Sequence, residues 1–181
     1  IHLCVITGGA SAQYKNKKII KIRKEACIAS GKILGINDFT FLGFPDAKLD
    51  SIPQLEINKK LEKLIKKIKP EIVYTTPDND LNKDHQKIYE STLVVTRPLS
   101  SSVKQILAYE ISSIVKTPFV PTVYEDISKE FLDKIKAFKM YGSEIEKFPH
   151  NRSIEVLESL AQLRGMESGL IKAEAFHLIR R

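Results

Sequence analysis

The residues best suited to chemistry stand close together between an apolar run and a helix pattern. Ile72 to Thr76 reads as a strand, β-branched and of strand length, and passes into the polar loop Pro77-Asp78-Asn79-Asp80-Leu81-Asn82-Lys83. Asp84 and His85 follow, at the start of a segment whose Ile88, Tyr89, Thr92, Val95 and Thr96 share one helical face with His85. The first turn of a helix carries partial positive charge and favours a neutral imidazole able to ligate a metal, and the loop surrounds it with oxygens. The plainer alternative is that Asn82 or Asp84 caps the helix and His85 is satisfied by a carbonyl. One histidine is short of a catalytic zinc site, which needs three protein ligands and a water.

The elements that must position this loop form an α/β pattern. Ile1 to Thr7 reads as a buried strand, followed by the small-residue turn Gly8-Gly9-Ala10-Ser11-Ala12. That turn could cradle a phosphate on backbone amides, yet it matches neither the dinucleotide fingerprint nor the phosphate loop. A helix from about Asn16 to Leu34 is predicted to bury Ile19, Ile20, Ala26, Cys27, Ser30 and, at its end, Ile33 and Leu34. Arg23 falls in the middle of that stripe, which requires either an ion pair or a polar cavity.

Phe39 to Phe44 is the next strand, with Asp46 just beyond it in turn chemistry. Gln54 to Ile68 is a lysine-rich helix turning Leu55, Leu61, Leu64, Ile65 and Ile68 inward. Val103 to Tyr109 reads as a further strand and Phe119 to Ile127 as irregular or short β. Ser128 is expected to cap a helix running to about Tyr141. A loop at 148 to 153 enters a last helix through Gly165, and Leu170 to Arg181 has no clear pattern. The fold expected is a Rossmann-like three-layer α/β arrangement, a mostly parallel sheet flanked by helices and lacking its first strand, with residues 1–181 as one domain.

The chain has 181 residues, 43% hydrophobic and 28% charged, which suits a single ordinary globular domain. Its net charge of +7 raises nucleic acid as a partner, but the lysines cluster on outer helix faces and mix with glutamates, and no aromatic residues interleave with them. Nucleic acid is therefore not expected. No apolar run reaches the roughly 18 residues of a membrane span, and with no visible signal peptide the expected setting is cytoplasmic. Cys4 and Cys27 read as buried thiols.

The order of segments is more specific than any one of them. RKEACIASGKILG at 23–35, FLGFPDAKL at 41–49, PEIVYTTPDNDLNKDH at 70–85, TRP at 96–98, YEDISKEFLDKIKAFKMY at 124–141, FPHNRS at 148–153 and RGMESGLIKAEAF at 164–176 follow in turn. This series resembles the PIG-L/LmbE-like family of zinc-dependent N-acetylglucosaminyl deacetylases, over nearly the whole chain. The resemblance implies that His85 is a metal ligand, that Asp84 and Arg23 act in catalysis, and that Asp80, Asn82, His150, Arg152 and Glu174 line the substrate site. It implies zinc or another divalent metal as cofactor and an N-acetylated amino sugar or glycoconjugate as substrate; self-association is left open.

Two departures qualify it. The family's His-Pro-Asp-Asp-Glu run, which supplies two ligands and the general base, is not in this chain and is expected upstream of Ile1, so these residues alone are expected not to hydrolyse. Asn82 stands where many members carry another histidine. The rival from a different class is a non-catalytic Rossmann-like module that receives an anionic sugar or nucleotide at Gly8-Gly9.

Overall fold

The computed structural model describes residues 1–9, 17–111 and 115–181. They divide into two compact units, one of Ile1–Asp46 with Glu125–Glu174, the other of Ala47–Tyr124 with Ala175–Arg181.

The first unit opens with strand β1, His2–Thr7, parallel to β2, Asp38–Phe44, with Leu3, Cys4 and Val5 opposite Phe39, Thr40 and Phe41. Helix α1, Lys17–Ile33, connects them. Its inner face is narrower than predicted. Cys27, Ser30 and Gly31 are buried, but Ile33 and Leu34 are exposed, because the helix ends at Ile33 and the chain turns away at Gly35, which adopts a left-handed φ of 74°. Gly31 is required by packing: a Cβ there would lie 2.6 Å from the Phe39 ring.

Helix α4, Phe131–Lys139, starts later than its expected cap. The Ser128 hydroxyl donates instead to Asp126 Oδ1 (2.5 Å), and the residue at the helix N-cap, Glu130, makes no side-chain capping bond. Burial of Phe131, 4% exposed, anchors this end. Helix α5, Ile154–Ser168, is capped by Ser153, whose Oγ accepts from Val156 N. It passes through Gly165 and ends at Gly169. A Cβ on Gly165 would be 2.7 Å from the Leu170 carbonyl, so that glycine admits the returning chain.

The second unit contains helix α2, Gln54–Ile68, strand β3, Ile72–Thr75, helix α3, Lys83–Val95, and strand β4, Gln105–Tyr109. On α2, Ile57 and Leu61 are buried whereas Leu55 is 62% exposed, contrary to its predicted inward placement. Leu55 lies in the first turn, and the buried face begins two residues later. Strands β3 and β4 are parallel, with Ile72 opposite Gln105 and Thr75 opposite Ala108.

Strands β5, Val123–Asp126, and β6, Ala173–Arg180, each contain a division point between the units; the sheet order is β3-β4-β6-β5. The stretch without a clear pattern, 170–181, is thus mostly β6. It runs antiparallel to β4, Leu107 opposite Leu178, so the sheet is mixed, with β3/β4 parallel and β4/β6 antiparallel. Arg180 is held there by donating to the Thr96 carbonyl (2.5 Å). The expected α/β arrangement of sheets with flanking helices is what the chain adopts.

Candidate functional site

Strand β3 ends at the sheet's carboxyl rim, where α/β proteins concentrate their chemistry. Thr75 Oγ1 lies 3.0 Å from Thr92 Oγ1, and Thr76 Oγ1 donates to the His85 carbonyl (2.8 Å), so strand end and helix start are tied together. Asn79 then anchors the loop from the other side, its Nδ2 donating to the Thr117 carbonyl at 2.8 Å.

Asp80 is the centre of this turn. Its Oδ2 accepts from His85 Nδ1 at 2.6 Å and its Oδ1 accepts from the Asn82 amide at 2.7 Å. Its carbonyl accepts from Gln86 Nε2, and its backbone pairs with Val115. The carboxylate is 3% exposed and the imidazole 37%. Such a pair orients the ring: a histidine that donates Nδ1–H to a carboxylate turns its Nε2 away from it, toward a proton or a metal. Asp80 was expected to bind substrate. Both of its oxygens are engaged within the turn and its side chain is buried, with one oxygen on His85.

Asn82 is the helix cap of the plainer alternative, its Oδ1 accepting from Asp84 N at 2.9 Å. Asp84, expected to be catalytic, is 6% exposed. Its Oδ2 accepts from Ala47 N at 2.7 Å and its Oδ1 from Leu49 N at 2.9 Å. Both oxygens hold the corner before α2. Tyr109, at the end of β4, was not singled out from the sequence; burial first and the Asp80 carboxylate second push its phenol above the usual range.

In the first unit Arg23 has the ion pair its sequence position demanded. Its Nη2 donates to Glu144 Oε1, and Arg152 Nη1 donates to Glu144 Oε2 at 2.5 Å. His150 Nδ1 accepts from the Arg152 amide (3.1 Å), so His150 shapes this loop. Glu174 pairs with Lys134 at 2.6 Å, which occupies the carboxylate expected to line the site. Thr7 Oγ1 donates to Asp46 Oδ1 at 3.2 Å, in keeping with a turn role. Gly8 N is bonded to the Phe44 carbonyl at 3.2 Å, which leaves one amide fewer for a phosphate; the rest of that turn, Ala10-Ser11-Ala12, lies outside the described residues.

The structure therefore gathers Asp80, Asn82, Asp84 and His85 around one turn, and Arg23 and Arg152 around Glu144, with His150 bonded to the Arg152 amide. Glu144 sits in the single turn Gly142–Glu144, a place that no periodicity or motif marks in the sequence. For a metal, His85 Nε2 is one suitable donor, but among the described residues no group of three His, Cys, Asp or Glu side chains could hold an ion. These residues do not by themselves fit a metal centre.

A family model described as GlcNAc-PI de-N-acetylase, PIG-L, matches residues 1–96, and the chain belongs to that family. The Escherichia coli (strain K12) protein described as the uncharacterized deacetylase YaiS is 31% identical over 121 residues, 62% of this chain and 60% of that protein. This match thus spans less than two thirds of the curated relative's length. Among solved structures, the N,N'-diacetylchitobiose deacetylase from Pyrococcus horikoshii aligns with 98% of this chain and 72% of its own, with TM-score 0.78 and 18% identity. The 4-carboxy-2-hydroxymuconate hydratase GalB from Pseudomonas putida KT2440 aligns with 100% of this chain and 97% of its own, with TM-score 0.75 and 13% identity. Both show the fold alone, since one fold carries a deacetylase and a hydratase.

Proposed function

We propose that this chain is part of an N-deacetylase that removes the acetyl group from an N-acetylglucosamine-type sugar or glycoconjugate. Family membership supports that reaction over the hydration that the same fold also carries. The observation that carries the site assignment is the Asp80–His85 pair at the end of β3, a buried carboxylate holding a half-exposed imidazole in one direction.

In this reading His85 presents Nε2 to the reacting centre, as a ligand to zinc or another divalent metal completed by donors beyond the described set. Asp80 fixes the ring, and Asp84 holds the backbone beside it. Arg23 and Arg152 bind substrate oxygens, and both units serve one domain of the family's kind. Free thiols at Cys4 and Cys27 support a reducing, cytoplasmic setting. Among the described residues no helix is long and apolar enough to cross a membrane.

The test is acetate release from N-acetylglucosamine conjugates, with metal analysis, by the full-length protein and its His85→Ala variant. Loss of release and of bound metal is expected. Full activity in the variant would remove His85 from the reaction.

A further inference from the structure

Where α2 and α3 end, the second unit carries a leucine that its core does not use. Helix α3 stops at Val95, and the chain turns through Arg97-Pro98-Leu99-Ser100, where the Arg97 carbonyl accepts from Ser100 N (3.2 Å) and from Ser101 Oγ (3.3 Å). The turn puts Leu99 in the left-handed region, φ 63°, and leaves its side chain fully exposed. A turn that needed only that backbone would favour glycine or asparagine, which adopt it at little cost. Here an unfavourable backbone conformation and an unfavourable exposure coincide on one apolar side chain.

The surroundings of this leucine are basic. Lys63, Lys66, Lys67 and Lys69, in and just after the last turns of α2, are exposed, and so is Arg97. Lys66 and Arg97 line one groove of about 90 Å³ together with Ile65, Val94 and Val95, which places the end of α2 beside the turn that bears Leu99. Glu62 lines the same groove, and Glu71 is paired with Lys104 at 2.9 Å, so positive charge remains in excess. Lysines in a last turn suit the negative end of a helix. That accounts for Lys66 and Lys67, but not for Arg97 or for Leu99.

A single projecting leucine among cations suits one kind of partner best. A protein partner would call for a wider apolar centre with pockets for its anchors, and nucleic acid would call for aromatic residues beside the lysines. A bilayer needs neither, because its headgroup layer takes up single apolar side chains and its anionic lipids attract the lysines around them. We propose that this end of the second unit docks on the surface of an anionic lipid bilayer, with Leu99 entering the interfacial layer and Lys63, Lys66, Lys67, Lys69 and Arg97 lying over the headgroups. His85 stands near the start of the same α3, about 18 Å of helical rise from Arg97, so a docked molecule keeps its reactive turn off the bilayer.

The test is sedimentation of the full-length protein with phosphatidylcholine vesicles, with and without about one third phosphatidylserine. Binding to the anionic vesicles is expected to be at least about tenfold stronger, and to weaken as salt is raised. Leu99→Ser should bind about tenfold more weakly, through the loss of one inserted side chain. Lys66→Glu with Lys67→Glu should lose more than about tenfold, whereas Lys32→Glu with Lys139→Glu, the same change of net charge made on the first unit, should lose less than about threefold. Because the chain has no tryptophan, Leu99→Trp supplies a reporter whose added emission should move to the blue on anionic vesicles.

No vesicle binding, equal binding to neutral vesicles, equal loss in the two charge-reversal pairs, an unshifted indole, or affinity for polyglutamate matching that for anionic vesicles would each overturn the proposal. Docking involves neither His85 nor turnover, so acetate release judges the deacetylase reading separately.

Discussion

Replacing Asp84 with alanine should unfold the second unit far more readily than it would alter a merely catalytic group. The carboxylate accepts from Ala47 N at 2.7 Å and from Leu49 N at 2.9 Å, and is itself 6% exposed. Hydrogen bonds to a charged group contribute about 1.5–3 kcal/mol each. The two amides do not fare alike after the change. Ala47 is exposed and its N–H can turn to water, whereas Leu49 is 0% exposed and its N–H is left without an acceptor.

Counting one full loss and one partial loss, Asp84→Ala should cost about 3–5 kcal/mol, and Asp84→Asn, which keeps one acceptor, about 1.5–3 kcal/mol. Against a total of about 5–15 kcal/mol for an ordinary domain, either is a large fraction. Urea unfolding followed by far-ultraviolet circular dichroism reads the difference directly. A loss below about 0.5 kcal/mol for the alanine variant, the range of ordinary surface changes, would refute the assignment of Asp84 as the tie between α3 and the corner at 47–49.

Asp80→Asn should lower acetate release by about 10- to 100-fold, the usual effect of losing the partner that orients a functional histidine, while leaving the circular dichroism spectrum in place; undiminished release would mean that the ring needs no such support. Gly165→Ala should destabilise by about 1–3 kcal/mol through forced contact with the Leu170 and Ile171 backbone, and a denaturation midpoint equal to the parent's would contradict that packing. Burial pushes the Cys4 thiol up to about 11. Only about one part in a thousand is then thiolate at pH 8, so disulfide-reagent labelling of Cys4 should be slow there and accelerate as pH rises toward 11; fast labelling at pH 8 in the folded protein would oppose it.

Local pattern was enough to find α2, whose lysines and leucines repeat at helical spacing, and α3, whose cap was narrowed to Asn82 or Asp84 and is Asn82. It was not enough for β6, because Ala173-Glu174-Ala175-Phe176 has weak strand character and becomes a strand through its pairing with β4. The start of α4 was misplaced for a similar reason: Ser128 has two possible partners, and the nearby Asp126 carboxylate takes its hydroxyl. Arg23 was legible as a residue in need of a counter-charge, since a guanidinium among apolar neighbours is costly. Its partner was not, because Glu144 is 121 residues away along the chain and the sequence carries no sign of that pairing. Residues Asp80 and Asp84 were recognised as important from their place after β3. Only coordinates could tell that one steers a ring and the other fastens a corner.

The grip on Asp80 reaches beyond its own turn. Its backbone pairs with Val115, and neighbouring Asn79 is fastened to the Thr117 carbonyl and accepts from Lys116 N. Residues 115–117 thereby help hold the turn from which the imidazole projects. A shift of about 1 Å in a reacting group can cost about a hundredfold in rate, so natural variation in this inconspicuous stretch should tune turnover without touching affinity for the sugar.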